Sequence, residues 1–230
     1  MLKKRIIQGN FLRSLAPVSN KEHVICHDTD NGRYYQIAPN VYYPSITTVL
    51  SSMTDLSGWI DHVGVESANM IKEIAAEKGN QIHELMENYL RNEPIDLDEL
   101  MPPIRTSFLG AIPTLQRVNF IYNQETVLWS NRLKIAGRAD LIGKFDDINS
   151  IIDFKGSNKP KKKENITHYF CQATAYREMY HELYGVKIDQ IVILVFPENQ
   201  REPQVFIENP DKYVPILERV RKNFKGEYHA

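Results

Sequence analysis

The apolar positions change period along the chain, and each change predicts an element. HVICHD and RYYQI alternate on either side of TDNG, and the Asn31-Gly32 step is a strong hairpin signal, so 23–37 is expected to form two paired strands. Pro44-Ser45 precedes ITTVL, with Ser45 as the N-cap of a short helix. From Ser67 to Leu90 the period becomes helical, as Ile71, Ile74, Ala75, Ile82, Leu85, Met86 and Tyr89 recur mostly at three- and four-residue steps. Gly79 interrupts this stripe and marks a kink or a close approach. The stretch 83–100 holds six acids and one base before Met101-Pro102-Pro103, which reads as a helix end and an exposed connection. A further helix is expected over 104–117, broken at Pro113.

Beyond that point the period falls to two. Phe120 to Trp129, Leu133 to Phe145 and Ser150 to Lys155 read as strands, with Asn131 and the 146–149 cluster supplying turns. His168 to Tyr184 reads as a helix capped by Gly185, and the unbroken IVILVF (191–196) as a buried strand. QVFIE (204–208) suits an edge strand, and Asp211 to Phe224 an amphipathic helix. The expected class is therefore α/β: a mixed central β-sheet flanked by helices in αβββαβ order, with N-terminal helical and hairpin additions. One domain over 1–230 is expected, with the additions at 1–66, a core at 67–210 and a C-terminal helix at 211–230.

Composition narrows the function. The 230 residues are 42% hydrophobic and 25% charged, the balance of an ordinary globular chain. The net charge of −1 excludes a purely electrostatic DNA coat but not an enzyme with a local cationic site. No stretch nears the ~18 apolar residues of a membrane span, so no membrane partner is expected. Cys26 and Cys171 form no CxxC pair and cannot supply four thiolates, so neither a zinc site nor an iron–sulfur cluster is expected. There is no GxGxxG or GxxxxGK[ST] phosphate cradle. Lys3, Lys4, Arg5 and Arg13 precede the first acid, Glu22, which fits a DNA-contacting arm or a transit peptide. The expected location is cytoplasmic, with a mitochondrial address as the alternative.

The candidate chemistry lies in GRADLIG (137–143), IIDFKGS (151–157) and QATAY (172–176). Alternation on a strand points Asp153 and Lys155 to one side and Phe154 to the other. Bringing Asp140 beside Asp153 concentrates charge where desolvation is costly, and a divalent cation resolves the repulsion. Two aspartates, a backbone carbonyl (that of Phe154) and water suit Mg²⁺ or Mn²⁺. Lys155 then orients or deprotonates a water, or stabilises the transition state, in metal-assisted phosphodiester hydrolysis. The bland alternative is a surface ion pair at a strand end. Gln172 and Tyr176 share a helix face and are candidates to hold a phosphate, or simply to pack. His83 is a ligand or a structural histidine, with Glu84 and Glu87 as competing candidates and Glu125 a further acid. Lys161, Lys162 and Lys163, with Ser157 before them and the basic arm elsewhere, are candidate phosphate contacts. Tyr34, Tyr35, Tyr42 and Tyr43 are candidate stacking faces for unpaired bases.

The order His83, Asp140, Asp153-x-Lys155, Gln172-xxx-Tyr176 resembles the PD-(D/E)XK nuclease superfamily in its RecB-like branch. YPSITTVL (43–50) followed by GNQIHELMENYL (79–90) looks like the mitochondrial genome maintenance exonuclease group and its phage and bacterial relatives. The resemblance covers about 40–200. It implies that His83, Asp140 and Asp153 bind metal, that Lys155 serves the attacking water, and that single-stranded DNA is threaded in and cut near an end. It also implies a cluster-free member without its own helicase motor, so a separate helicase or other replication or recombination protein is an expected partner. The leading expectation is a metal-dependent exonuclease preferring single-stranded DNA. The alternatives are a flap or branched-DNA endonuclease and a non-catalytic single-strand-binding module.

Overall fold

The computed structural model describes residues 4–14, 24–53 and 65–226. The first elements in chain order are β1 (Ile6–Gln8), β2 (Ile25–Thr29), β3 (Gly32–Ala38), β4 (Val41–Pro44) and α1 (Ile46–Leu50). Then come α2 (Val65–Leu90), β5 (Pro94–Asp96), α3 (Pro102–Leu115), β6 (Val118–Ser130), β7 (Ile135–Phe145) and β8 (Ile148–Ser157). The chain closes with α4 (Thr167–Tyr184), β9 (Gln190–Pro197), β10 (Gln204–Glu208) and α5 (Val214–Asn223). Among the described residues no helix is long and apolar enough to cross a membrane.

A five-stranded sheet in the order β10-β9-β8-β7-β6 forms the centre. β8 and β9 are parallel and the other neighbours antiparallel, giving the expected mixed sheet. Both faces are covered. On one, Ile142, Ile151 and Ile193 pack with Val49 of α1, Met179 of α4 and Leu217 of α5. On the other, Leu141, Ile152 and Leu194 pack with Met86 of α2 and Phe108 and Leu115 of α3. Every residue of β9 is buried, which is why its sequence reads as an unbroken apolar run.

The N-terminal hairpin forms, with its turn one residue earlier than expected. Asp30-Asn31 is the loop, Thr29 pairs with Gly32, and Gly32 takes φ +115°, a conformation that favours glycine. A third strand, β4, joins this hairpin after a turn at Asn40 (φ +61°); its few residues before Pro44 gave no readable alternation. Ser45 caps α1 as expected, accepting the Thr48 N–H at 3.0 Å. Prolines 102 and 103 open α3 rather than ending a connection, because the first turn of a helix needs no N–H partners. Pro113 sits in the last turn of α3, so the helix is not broken there.

The acidic stretch after α2 is not an exposed connection. β5 pairs antiparallel with β1, and the acids hold the basic arm: Lys4 Nζ lies 2.8 Å from Asp96 and Arg5 Nε 2.9 Å from Asp98. Arg13 donates to the Gln124 side chain at 2.8 Å. The reading of this arm as a DNA patch is therefore corrected for Lys4 and Arg5, whose charges are matched within the fold; Lys3 and Glu22 lie outside the described residues. So do the side chains of Ile71, Ile74 and Ala75.

Gly79 does not kink α2; it marks the close approach. A Cβ on Gly156 of β8 would stand 3.3 Å from the Gly79 Cα, so the helix crosses the strand at a pair of glycines. A Cβ on Gly79 itself would meet nothing within 4 Å. Gly79→Ala is therefore expected to stabilise the protein by about 0.5–1 kcal/mol, the helix-propensity difference, as read by urea denaturation; destabilisation would show that the crossing is tighter on the helix side.

Candidate active site

The β7–β8 ladder runs from Phe145/Ile148 to Leu141/Ile152 and stops. The next residues in register are Asp140 and Asp153. Here the Phe154 N–H donates to Asp140 Oδ2 at 2.8 Å instead of to a backbone carbonyl of β7. β8 continues beside β9 through Ser157, so the two strands part at the acids. On the far side of β7, Gln124 faces Leu141 and Thr126 faces Ala139, which sets Glu125 opposite Asp140. Three carboxylates from three neighbouring strands thus stand in one row.

Groups from both helical layers meet in this opening. From α2, His83 Nε2 faces the Phe154 carbonyl oxygen at 2.5 Å, and Nδ1 lies 3.6 Å from Asp140 Oδ2. From α4, Gln172 Nε2 donates to Asp153 Oδ1 at 3.2 Å and to Tyr176 Oη at 3.1 Å. Asp153 is fully buried; its Oδ2 has the Lys155 ammonium 2.6 Å away and otherwise lacks a hydrogen-bond partner. Lys155 also lies over the Tyr169 ring, 5.4 Å from its centroid. Burial pushes Asp153 up to about 6, with Asp140 adding to the rise and Lys155 opposing it. Burial works against the Lys155 charge, but Asp153 and Asp140 more than offset it, so Lys155 is held above its ordinary range.

This donor set fits a small hard dication. His83, Asp140, Asp153 and the Phe154 carbonyl offer imidazole and oxygen ligands in one gap, and Asp153 is a buried carboxylate under-served by hydrogen bonds. Among the described residues, no three His, Cys, Asp or Glu side chains are already drawn together as a closed ligand cage. The Asp153–Lys155 pair keeps the acid compensated instead.

Beside the opening lies a cleft of about 610 Å³. One wall is α2, through Asn80, His83, Glu84 and Glu87; another is the sheet, through Glu125, Gly137, Arg138 and Asp140. Arg33, Tyr35, Ser45 and Thr47 close it from the hairpin and α1. Asn80 and Arg138 were not singled out by sequence. Asn80 stands one helical turn before His83 on the same face, which is the signal that points to it. Gly137 is glycine because a Cβ there would come within 2.8 Å of the Tyr176 ring and 3.2 Å of Ile46.

Several expected substrate contacts are engaged elsewhere. Gln172 and Tyr176 line the main cleft but are buried, Gln172 donating both to Asp153 and to the Tyr176 hydroxyl. The Ser157 hydroxyl donates to the Lys159 carbonyl at 2.6 Å. Lys163 pairs with the buried Glu208. Lys161 and Lys162 instead line a second cleft, of about 490 Å³, with His168 and Tyr169. Tyr34 and Tyr35 are buried and so are not free stacking faces. Tyr42 and Tyr43 are half-buried, Tyr43 donating to Asn131 at 3.0 Å. Glu87 pairs with Arg91 one turn along α2. Glu125 pairs with Arg138, Oε2 to Nε at 2.9 Å. Glu125 adopts φ +47°, which costs of order 1–3 kcal/mol at a non-glycine residue. An ion pair to a half-exposed arginine returns about 0–1 kcal/mol, so this pair alone does not offset the cost of that backbone.

A family model described as the PD-(D/E)XK nuclease superfamily matches residues 61–226. No curated protein matches the chain.

The charge row has a measurable consequence. Burial, with Asp140 opposite, pushes Glu125 up to about 7 from an ordinary 4.5. A folded-state value above the unfolded one means that the stability from this group is full below about pH 4.5 and is lost as pH rises through about 7. Glu125→Gln is neutral throughout. In metal-free protein it is expected to be more stable than wild type at pH 8, by roughly 1–2 kcal/mol once partial exposure is allowed for. The thermal melts of the two proteins should converge by pH 4.5; a difference that does not change with pH would refute this account.

Proposed function

The chain belongs to the PD-(D/E)XK nuclease superfamily, and from that premise we propose that it is a metal-dependent DNA exonuclease acting on single-stranded ends in replication, repair or recombination. Members of the superfamily are nucleases and generally use divalent metals such as Mg²⁺ or Mn²⁺. The observation that carries the reading is the parting of β7 and β8 at Asp140 and Asp153, with Lys155 2.6 Å from Asp153 and His83 across the gap. The finer placement, in the RecB-like branch near the mitochondrial genome maintenance exonuclease group, is supported by the motif order alone.

Asp140, Asp153, His83 and the Phe154 carbonyl are the residues that would hold the cation. When bound, it would polarise a phosphoryl oxygen and make water more acidic. Lys155 is a cation and so not a ligand; beside Asp153 it is placed to orient the attacking water or to offset charge developing on the phosphate. Gln172 and Tyr176 fix the rotamer of Asp153. Preference for a single strand, like the branch placement, is supported by the motif order.

End-labelled linear and circular single strands incubated with Mg²⁺ test the reading. Loss of the linear strand alone is expected; cutting of the circle would make the enzyme an endonuclease, and binding without cutting would make it a single-strand-binding module. Asp140→Asn and Asp153→Asn are each expected to abolish cleavage while folding and DNA binding persist. Wild-type turnover in either would overturn the site assignment.

Lys155→Ala is expected to lower the single-turnover rate by at least ~100-fold with the Mg²⁺ dependence nearly unchanged. Lys155→Arg separates two roles, because guanidinium remains protonated. Rescue by arginine means a fixed charge on the phosphate; no rescue means proton transfer or close placement of water.

A further inference from the structure

The main cleft presents a problem to any polyanion. Glu84, Glu87, Glu125 and Asp140 line it, and its cationic lining residues are Arg33 and Arg138. Arg33 is committed to Asp28, through Nε at 2.7 Å and Nη2 at 3.1 Å. Arg138 is not tied down in this way. Its side chain is 57% exposed, its Nε lies 2.9 Å from Glu125 Oε2, and among the described residues no other side chain forms an ion pair with it. Its remaining N–H donors form a planar fork suited to phosphate.

Position adds a second argument. Arg138 and Asp140 are two residues apart on β7 and share a face, about 7 Å apart along the strand. That places a guanidinium beside the metal-ligating acid, on the cleft side, close enough to reach the phosphate adjoining the one being cut. Glu125, itself the left-handed residue of β6 that faces Asp140, reaches the guanidinium from the neighbouring strand. An ion pair whose arginine end is open to solvent adds little stability, so its clearer consequence is where it holds the guanidinium.

We propose that Arg138 grips the substrate phosphate next to the scissile one, and that Glu125 is a positioning residue that aims the guanidinium rather than a ligand of the cation. The proposal rests on the nuclease reading above and adds to it a contact that neighbours the Asp140, Asp153, His83 and Lys155 group. It recasts Glu125, a candidate site acid in the sequence, as a partner of arginine.

Two measurements separate this proposal from the nuclease reading itself. The first is binding of a short labelled oligothymidylate in EDTA, where no cutting occurs. Arg138→Ala is expected to raise Kd roughly 10-fold. It should also flatten the slope of log K against log salt by about 0.7, the loss of one single-strand phosphate contact. Arg138→Lys should restore the slope but only part of the affinity.

The second measurement is steady-state cleavage. Arg138→Ala is expected to raise KM with kcat little changed. Glu125→Gln should raise KM roughly 3-fold in the wild-type background. In the Arg138→Ala background the same change should lower KM, since there it only relieves repulsion between carboxylate and phosphate. Mg²⁺ half-saturation should be the same in all these variants. An unchanged Kd and salt slope in Arg138→Ala overturns the phosphate contact. A raised Mg²⁺ half-saturation with reduced kcat in Glu125→Gln overturns the positioning role and makes Glu125 a cation ligand. If wild type cuts no DNA, the nuclease reading falls, and the EDTA binding series still decides the role of Arg138.

Discussion

The site depends on one interruption in a hydrogen-bond ladder. β7 and β8 pair from their shared turn as far as Leu141 and Ile152, and the next N–H, that of Phe154, goes to the Asp140 carboxylate. A side chain thereby takes the place of a backbone acceptor, and the strands separate without orphaning a buried donor. The gap lies in the middle of a sheet covered on both faces. Alternation along β8 sends Asp153 and Lys155 toward α4 and Phe154 toward α2 and α3, yet the gap lets His83 and Gln172 approach from opposite layers. A continuous ladder would keep those layers apart.

Glycines set how closely the layers approach. α2 crosses β8 where Gly79 meets Gly156, and that contact brings His83, one turn further along the helix, to the Phe154 carbonyl. On the other face, Gly137 leaves room for the Tyr176 ring, whose hydroxyl accepts from the same Gln172 that holds Asp153. Burial drives the Tyr176 phenol well above its ordinary range, so it remains a neutral hydrogen-bonding group. These contacts are indirect for chemistry but direct for geometry, because a metal ligand works only when its own partners fix its direction.

Charge is distributed with similar economy. Lys4 and Arg5, which look free in the sequence, are matched by the acids of 96–99, and Lys163 by the buried Glu208. Among the described residues near the site stand Lys155 against Asp153, Arg138 against Glu125, Arg33 against Asp28, and Lys161 and Lys162 beside Tyr169. A chain with net charge −1 can thus still set cations beside the opening while pairing off others elsewhere.

Local pattern was enough to read most of the core. Periodicity located β6 to β9, α2 and α4, because each buries one face or both, and burial leaves a period in the sequence. The Asp-x-Lys strand, GRAD and the helical histidine could be recognised because their spacing carries their shared direction. Spacing cannot show what a side chain meets across the fold. Gln172 and Tyr176 share a face in any helix, but only tertiary packing directs that face to Asp153. Tyr34 and Tyr35 are aromatic in any setting, and only packing buries both. The β1–β5 pair joins segments more than eighty residues apart, each too short to have a period of its own. Arg138 and Glu125 lie on separate strands, and a register with one left-handed residue puts them together. The sequence by itself therefore determined which residues are chemically able and which way each local run turns them. Tertiary structure alone decided which of them meet, because those meetings depend on long-range register and close backbone approach, which no local period encodes.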